Sequence, residues 1–310
     1  MTQPKLDSSG LIAAMFATAT WGMVGIFIRW LPGWSPFAIL AGRFLVATAA
    51  MLPILLLVPS IRQDFTRSLG SPPIWLLSLP AIGSSFLGTT AFQMAPVGEV
   101  TLLFTTSPLF IIAYKYVMRL DIKRSEGWGI FIATTGVIFI LLPQFSSDRS
   151  TSLQTIIGYL LALGAAGVVT FYTVSFNTFT DRGIAPKSIN IVFMTCLLGG
   201  ILSLLCTIFF TKLSIEPSID SAKLTLRERQ EIFVLLGLGV LSTALPFFCY
   251  TVAAQRLPIV LTTGILLLEP MFAVLFASIA LREIPSLWFG IGSILVFWGL
   301  RSIARAANSS

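Results

Sequence analysis

The chain has no histidine, only three cysteines and little charge: Lys, Arg, Asp and Glu make up 11% of its 310 residues. A soluble domain averages about 25% charged residues, so this chain cannot solvate a globular surface of its size. Without histidine it lacks the commonest metal ligand and the usual proton shuttle. Cys196, Cys206 and Cys249 all fall inside apolar runs, as buried small hydrophobes do, and not as a redox pair or a metal site would. No Walker A pattern occurs, so ATP hydrolysis is not expected of this chain. No Asp-x-x-Asp cluster lies in or beside an apolar run, which argues against a metal-dependent intramembrane transferase. An enzymatic role, a metal and a cofactor are therefore not expected.

What the chain has in abundance is apolar length. Hydrophobic residues make up 55% of it, and its mean hydropathy is +0.90. Ten spans of about 20 residues would take up roughly 200 positions and leave about 110 for tails and loops. Apolar runs bounded by charge or by Pro and Gly number ten, at 11–31, 37–59, 73–92, 97–118, 127–143, 156–179, 188–211, 232–254, 259–281 and 287–303. The first is longer than the apolar stretch of about 7–15 residues in a signal peptide, so it reads as a retained span. This pattern excludes a soluble enzyme, a DNA-binding module and a secreted disulfide scaffold. The expected fold is an all-α membrane protein of ten transmembrane helices, with the lipid bilayer as its surroundings.

The net charge of +7 sits in short segments between the runs, for example at Arg119, Lys123 and Arg124. Charges so placed orient a membrane protein and do not mark a nucleic-acid partner. With the N-terminus inside, twelve Lys and Arg fall on the inner side and seven on the outer, four of those seven within one long loop, 212–229. Both termini are therefore expected in the cytoplasm.

Shifted by 162 residues, the chain aligns with itself. Among positions 91–110, Ala91, Gln93, Pro96, Thr101, Pro108 and Phe110 meet identical residues, and Asp121 meets Glu283. Each half, 1–145 and 146–310, would hold five spans, an odd number, so the halves would enter the membrane from opposite sides. Inverted repeats of this kind are a transporter architecture, with substrate bound near the midplane between the halves. A functional monomer follows from having both halves in one chain.

Four motifs carry a family resemblance: Trp21-Gly22 in the first span, Pro36 followed seven residues on by Arg43, and the Leu120-Asp121 and Arg282-Glu283 turns before glycine-rich spans. In these the whole chain resembles the drug/metabolite transporter superfamily, in its ten-span EamA-type branch, and within that branch the exporters of aromatic amino acids. The resemblance implies export of aromatic and other large neutral amino acids across a bacterial inner membrane by alternating access. The alternative is export of hydrophobic cations, drugs or other small metabolites, with or without proton coupling.

Candidate substrate contacts follow from spacing. Ser85, Thr89 and Gln93 form one stripe on a helix, and Phe247, Thr251 and Gln255 form its counterpart 162 residues on. Such stripes either line a cavity or bond between helices. Pro108 and Pro270 fall mid-span, where each removes a helical hydrogen bond and frees the carbonyl of Phe104 or Leu266; they are candidate hinges. Glu269 is the one carboxylate deep in a span, with Ser107 as its counterpart. It is a candidate for a substrate ammonium or a coupling proton, or else a structural carboxylate, paired with Arg43 or held protonated by desolvation. Glu99 and Arg43 lie nearer span ends and are weaker candidates; Arg43 either receives a substrate carboxylate or is a packed arginine directed to the interface. Thr18 and Trp21 in the first span, with Tyr172 and Phe176 in the sixth, complete the candidate cavity set. Gly129, Gly136, Gly292 and Gly299 read as close helix packing.

Overall fold

The computed structural model describes residues 7–31, 33–95, 97–142, 152–213, 224–281 and 286–308. They form helices and no strand. In chain order these are α1 (Ser8–Trp21), α2 (Val24–Arg29), α3 (Pro36–Leu57), α4 (Pro59–Leu69), α5 (Pro72–Met94), α6 (Val97–Phe104), α7 (Ser107–Val117) and α8 (Arg124–Leu141). There follow α9 (Leu153–Asp181), α10 (Ser188–Leu213), α11 (Leu224–Gly239), α12 (Leu245–Arg256), α13 (Ile259–Ile265), α14 (Glu269–Leu281) and α15 (Leu287–Asn308). A π-helical turn, Val240–Ala244, joins α11 to α12, and a 3-10 turn, Leu266–Leu268, joins α13 to α14.

Local chemistry sets the starts. The Asp7 carboxylate accepts from the Ser9 N–H at 2.9 Å, Ser35 caps α3 through the Ala38 N–H, and Ser152 caps α9 through the Thr155 N–H. Pro36, Pro59 and Pro72 occupy first turns, where a missing N–H costs nothing.

Among the described residues, nine helical stretches are long and apolar enough to cross a membrane. The expected fifth span coincides with α8, which is not among the nine: its 18 residues begin with Arg124 and carry Glu126 in the first turn. Two other expectations change. The 212–229 segment is not wholly a loop, since α10 runs to Leu213 and α11 starts at Leu224. The link between the second and third runs holds a helix, α4, whose Phe65 packs edge-on against Phe193 at 5.3 Å while Arg62 and Arg67 stay exposed. Pro96, Pro143, Arg149 and the Arg282-Glu283 turn lie outside the described residues.

The long helices pair as α1 with α12, α5 with α9, α3 with α10 and α8 with α15. Exchanging the first five apolar runs of the sequence with the last five leaves this set of partners unchanged. At the α8–α15 seam, a Cβ on Gly299 would sit 2.4 Å from the Gly129 carbonyl oxygen, and one on Gly136 would sit 2.6 Å from that of Gly292. Backbone lies directly on backbone there, which only glycine permits.

Candidate functional site: a central cavity

Among the described residues three spans are broken by a short interruption, and residues at or beside each break line one cavity. The first span breaks at Gly22–Met23, between α1 and α2. A Cβ at Gly22 would lie 2.9 Å from the Ala273 backbone nitrogen and 2.9 Å from the Phe272 Cβ, so glycine lets the break press against α14. The span holding Pro108 breaks at Thr105–Thr106, and the one holding Pro270 breaks at Leu266–Leu268. These positions correspond under the 162-residue offset. Each proline is the second residue of the helix that restarts, where its missing N–H is harmless. At the break before Pro270 the Leu266 carbonyl is not freed, as the sequence suggested for it. The Leu266 carbonyl accepts the Glu269 N–H, and the Thr105 and Thr106 hydroxyls donate to the carbonyls of Leu102 and Leu103 at 2.9 and 2.6 Å.

The cavity has a volume of about 140 Å³. That is close to the size of an apolar cavity that takes up benzene, about 150 Å³. Its walls come from the α1–α2 break, α3, α5, α6, α9, α12 and the α13–α14 break. Trp21 meets Phe247 edge-on at 5.7 Å and Tyr250 at 5.3 Å. Tyr172 stacks on Tyr250 at 6.5 Å, and Tyr250 is fixed by a 2.9 Å hydrogen bond between its hydroxyl and that of Thr173.

Arg43 and Glu269 both line this cavity. Arg43 is buried; its Nε donates to the Thr243 hydroxyl at 3.1 Å, and its guanidinium lies 5.4 Å from the Phe44 ring centre. Glu269 opens α14 immediately after the 3-10 turn and is half-buried. The two form no ion pair with each other, so the structural partnership considered from sequence is not the arrangement seen.

The predicted residues divide by depth. Trp21, Ser85, Thr89, Tyr172, Phe247, Glu269 and Arg43 line the cavity. Gln93 and Gln255 do not, because eight residues of helix rise about 12 Å and carry each stripe to the end of its span. There the Gln93 amide donates to the Trp34 carbonyl, and the Gln255 amide donates to that of Pro186 while accepting from Ser188. Thr251 and Thr18 are buried away from the cavity and back-bond to the carbonyls of Phe248 and Ala14. Phe176 stacks behind Tyr172 at 5.8 Å. Ser107 is buried, with its hydroxyl unpartnered and its carbonyl accepting from Thr170. Glu99 accepts from the Tyr159 hydroxyl.

Sequence reasoning missed Ser84, Gly88, Phe92, Phe104, Tyr250 and Leu266, all of which line the cavity. Two signals pointed to them. Ala81, Ser84, Gly88 and Phe92 lie at three- and four-residue steps beside Ser85 and Thr89. Gly88 and Tyr250, like Phe104 and Leu266, are related by the offset of 162.

An all-helical chain with many apolar spans, interrupted helices and a central cavity holding charged groups defines a multi-pass membrane transporter. The model of the EamA-like transporter family matches residues 8–142 and again 156–305, and the chain belongs to that family. It is 25% identical over 274 residues to an uncharacterized transporter of Clostridium kluyveri, an alignment covering 85% of this chain and 82% of that one. A solved crystal structure shares the fold, with a TM-score of 0.75 at 20% identity over 97% of this chain and 98% of the other.

Proposed function

We propose that this transporter exports aromatic and other large neutral amino acids from a bacterial cytoplasm, by alternating access through the central cavity. One observation carries the reading: Arg43 and Glu269 face the same small cavity without pairing, between walls of Trp21, Tyr172, Phe247 and Tyr250. A buried charge left without a counter-charge is costly, and among the described residues Arg43 has none. A zwitterion matches this layout, its carboxylate at Arg43, its ammonium at Glu269 and its ring among the aromatics.

The same reading takes α8 as a tenth span and 1–145 and 146–310 as inverted five-span halves. The unchanged helix partners on exchange of the halves, the offset of 162 and the two segments matched by the family model support it. Both termini then lie in the cytoplasm, the chain works as a monomer, and the paired breaks at 105–106 and 266–268 are where the halves exchange conformations.

A second reading, export of hydrophobic cations, draws on Glu269 among aromatic rings, a setting that suits an organic cation. Counterflow of radiolabelled tryptophan in proteoliposomes, with and without a pH gradient, separates the two. Robust exchange, blocked by unlabelled tryptophan and poorly by tryptamine, supports the amino acid reading. No exchange above empty liposomes sinks it, and equal block by tryptamine favours the cation.

A further inference from the structure

The Arg43 guanidinium is aimed by a backbone irregularity in another span. Between α11 and α12 the helix winds as a π turn over Val240–Ala244. Turns of this kind hold one more residue than an α turn, and they concentrate at functional sites. Within it the Thr243 hydroxyl donates to the carbonyl of Leu238, five residues back, at 2.8 Å. A hydroxyl has one proton and two lone pairs. With the proton committed to Leu238, a lone pair faces outward, and it accepts from Arg43 Nε at 3.1 Å.

Two neighbouring contacts hold the turn in place. A Cβ at Gly239 would lie 2.9 Å from the Arg43 carbonyl oxygen and 2.5 Å from a Val46 methyl, so glycine brings the turn against α3 at the arginine itself. The Ser242 hydroxyl donates to the Thr20 carbonyl at 3.0 Å, beside Trp21 at the end of α1. The turn thus ties the arginine to the break in the first span.

We propose that Thr243, presented by the π turn, is the positioning residue that sets the transporter's requirement for a carboxylate on its substrate. This rests on the reading of Arg43 as the carboxylate anchor. Nε is one of the five N–H donors of a rigid planar fork. Fixing it orients the two terminal nitrogens, which carry the other four donors, so that a carboxylate meets both together. Without the Thr243 hydroxyl the guanidinium rotates about its last bonds, and the geometry of bidentate pairing is lost.

The test compares two ligands with the same ring and ammonium, tryptophan and tryptamine, of which only tryptophan has a carboxylate. Equilibrium binding of each labelled ligand is measured on the purified full chain. Thr243→Val should weaken tryptophan by about tenfold, the scale of a hydrogen bond to a charged group, and leave tryptamine within about twofold. Thr243→Ser keeps the hydroxyl and should restore tryptophan binding. In an Arg43→Lys background, Thr243→Val should change tryptophan binding by less than about twofold, since its partner is gone. If Thr243→Val does not fold, Thr243→Cys serves, because a thiol is a weak acceptor. Equal weakening of both ligands, or no change for tryptophan, would overturn the role of Thr243 while leaving the Arg43 reading intact. A wild type that binds tryptamine as well as tryptophan would overturn the carboxylate reading itself, and this proposal with it.

Discussion

Two of the interrupted spans, α6–α7 and α13–α14, are built from the same sequence device and finished differently. Both break just ahead of a proline, at positions 162 residues apart, and both place a side chain on the cavity wall, Phe104 in one and Leu266 in the other. The residue before each proline sets them apart. Ser107 is buried with its hydroxyl unpartnered, whereas Glu269 faces the cavity. The contrast recurs elsewhere. The first span breaks at Gly22, while its counterpart α9 runs unbroken for 29 residues. α12 follows a π turn, while α5 is continuous from Pro72 to Met94. Backbone pliability is present in both halves, and the charged chemistry is concentrated at single copies. On the proposed function, a shared hinge geometry would let the two halves interchange conformations, while a cavity for one small substrate needs only one carboxylate and one guanidinium.

The largest effect should come from setting Glu269 against Ser107. Glu269→Gln removes the charge proposed to hold the ammonium and should cut tryptophan counterflow by about tenfold or more. Ser107→Ala, which deletes a hydroxyl with no partner, should leave counterflow within about twofold. Equal losses would erase the distinction between the two breaks.

Next comes Gly22 against Gly167 of the unbroken α9. Gly22→Ala drives a methyl into the Ala273 backbone and should destabilise the protein by about 1–3 kcal/mol. Gly167 has nothing within 4 Å of an added Cβ, and Gly167→Ala should be neutral or stabilising by up to about 1 kcal/mol. Thermal unfolding in detergent reads both variants.

The glutamines at the span ends form a smaller pair. Gln255→Leu removes contacts to both Pro186 and Ser188, and Gln93→Leu removes one to Trp34. Losses of about 1 kcal/mol and about 0.5 kcal/mol are expected. They should appear as faster hydrogen exchange around Ser188 and Trp34 respectively, with the Gln93 effect the weaker.

The smallest effect involves Asp7, which links the start of α1 to Arg256 at the end of α12. Hydrogen bonds from Ser9, and then the Arg256 charge, hold the Asp7 carboxyl below its ordinary 3.8. A lowered value means that the contact stabilises above that pH and fades as pH falls through the folded value. Between about pH 5 and about pH 3, the thermal stability of the wild type should drop slightly more than that of Asp7→Asn. Parallel slopes would show that the contact contributes nothing measurable.

Much of this molecule was legible in the chain because membranes impose one-dimensional rules. Long apolar runs must be helical to satisfy their backbone polar groups, and so the spans could be read directly. Pro108 and Pro270 announced the breaks, since a mid-span proline has few places to go. The cavity was legible only in part. Ser85, Thr89 and Phe247 shared its face, but Gln93 and Gln255 belonged to the same stripes and ended elsewhere, because periodicity gives a direction around a helix and not a depth. Thr243 carried no signal, since nothing in its neighbours predicts a π turn.

By itself, the sequence determined that this is a helical, multi-pass membrane protein with related halves. Apolar length, charge placement and the offset of 162 act locally along the chain, and hydrocarbon leaves the backbone no alternative. Only the tertiary structure decided that Arg43 and Glu269 face one cavity without pairing, that Tyr250 forms part of its wall and that Thr243 fixes the arginine. Those relations join residues up to 226 positions apart, and they depend on side-chain angles and on where glycine lets one backbone meet another.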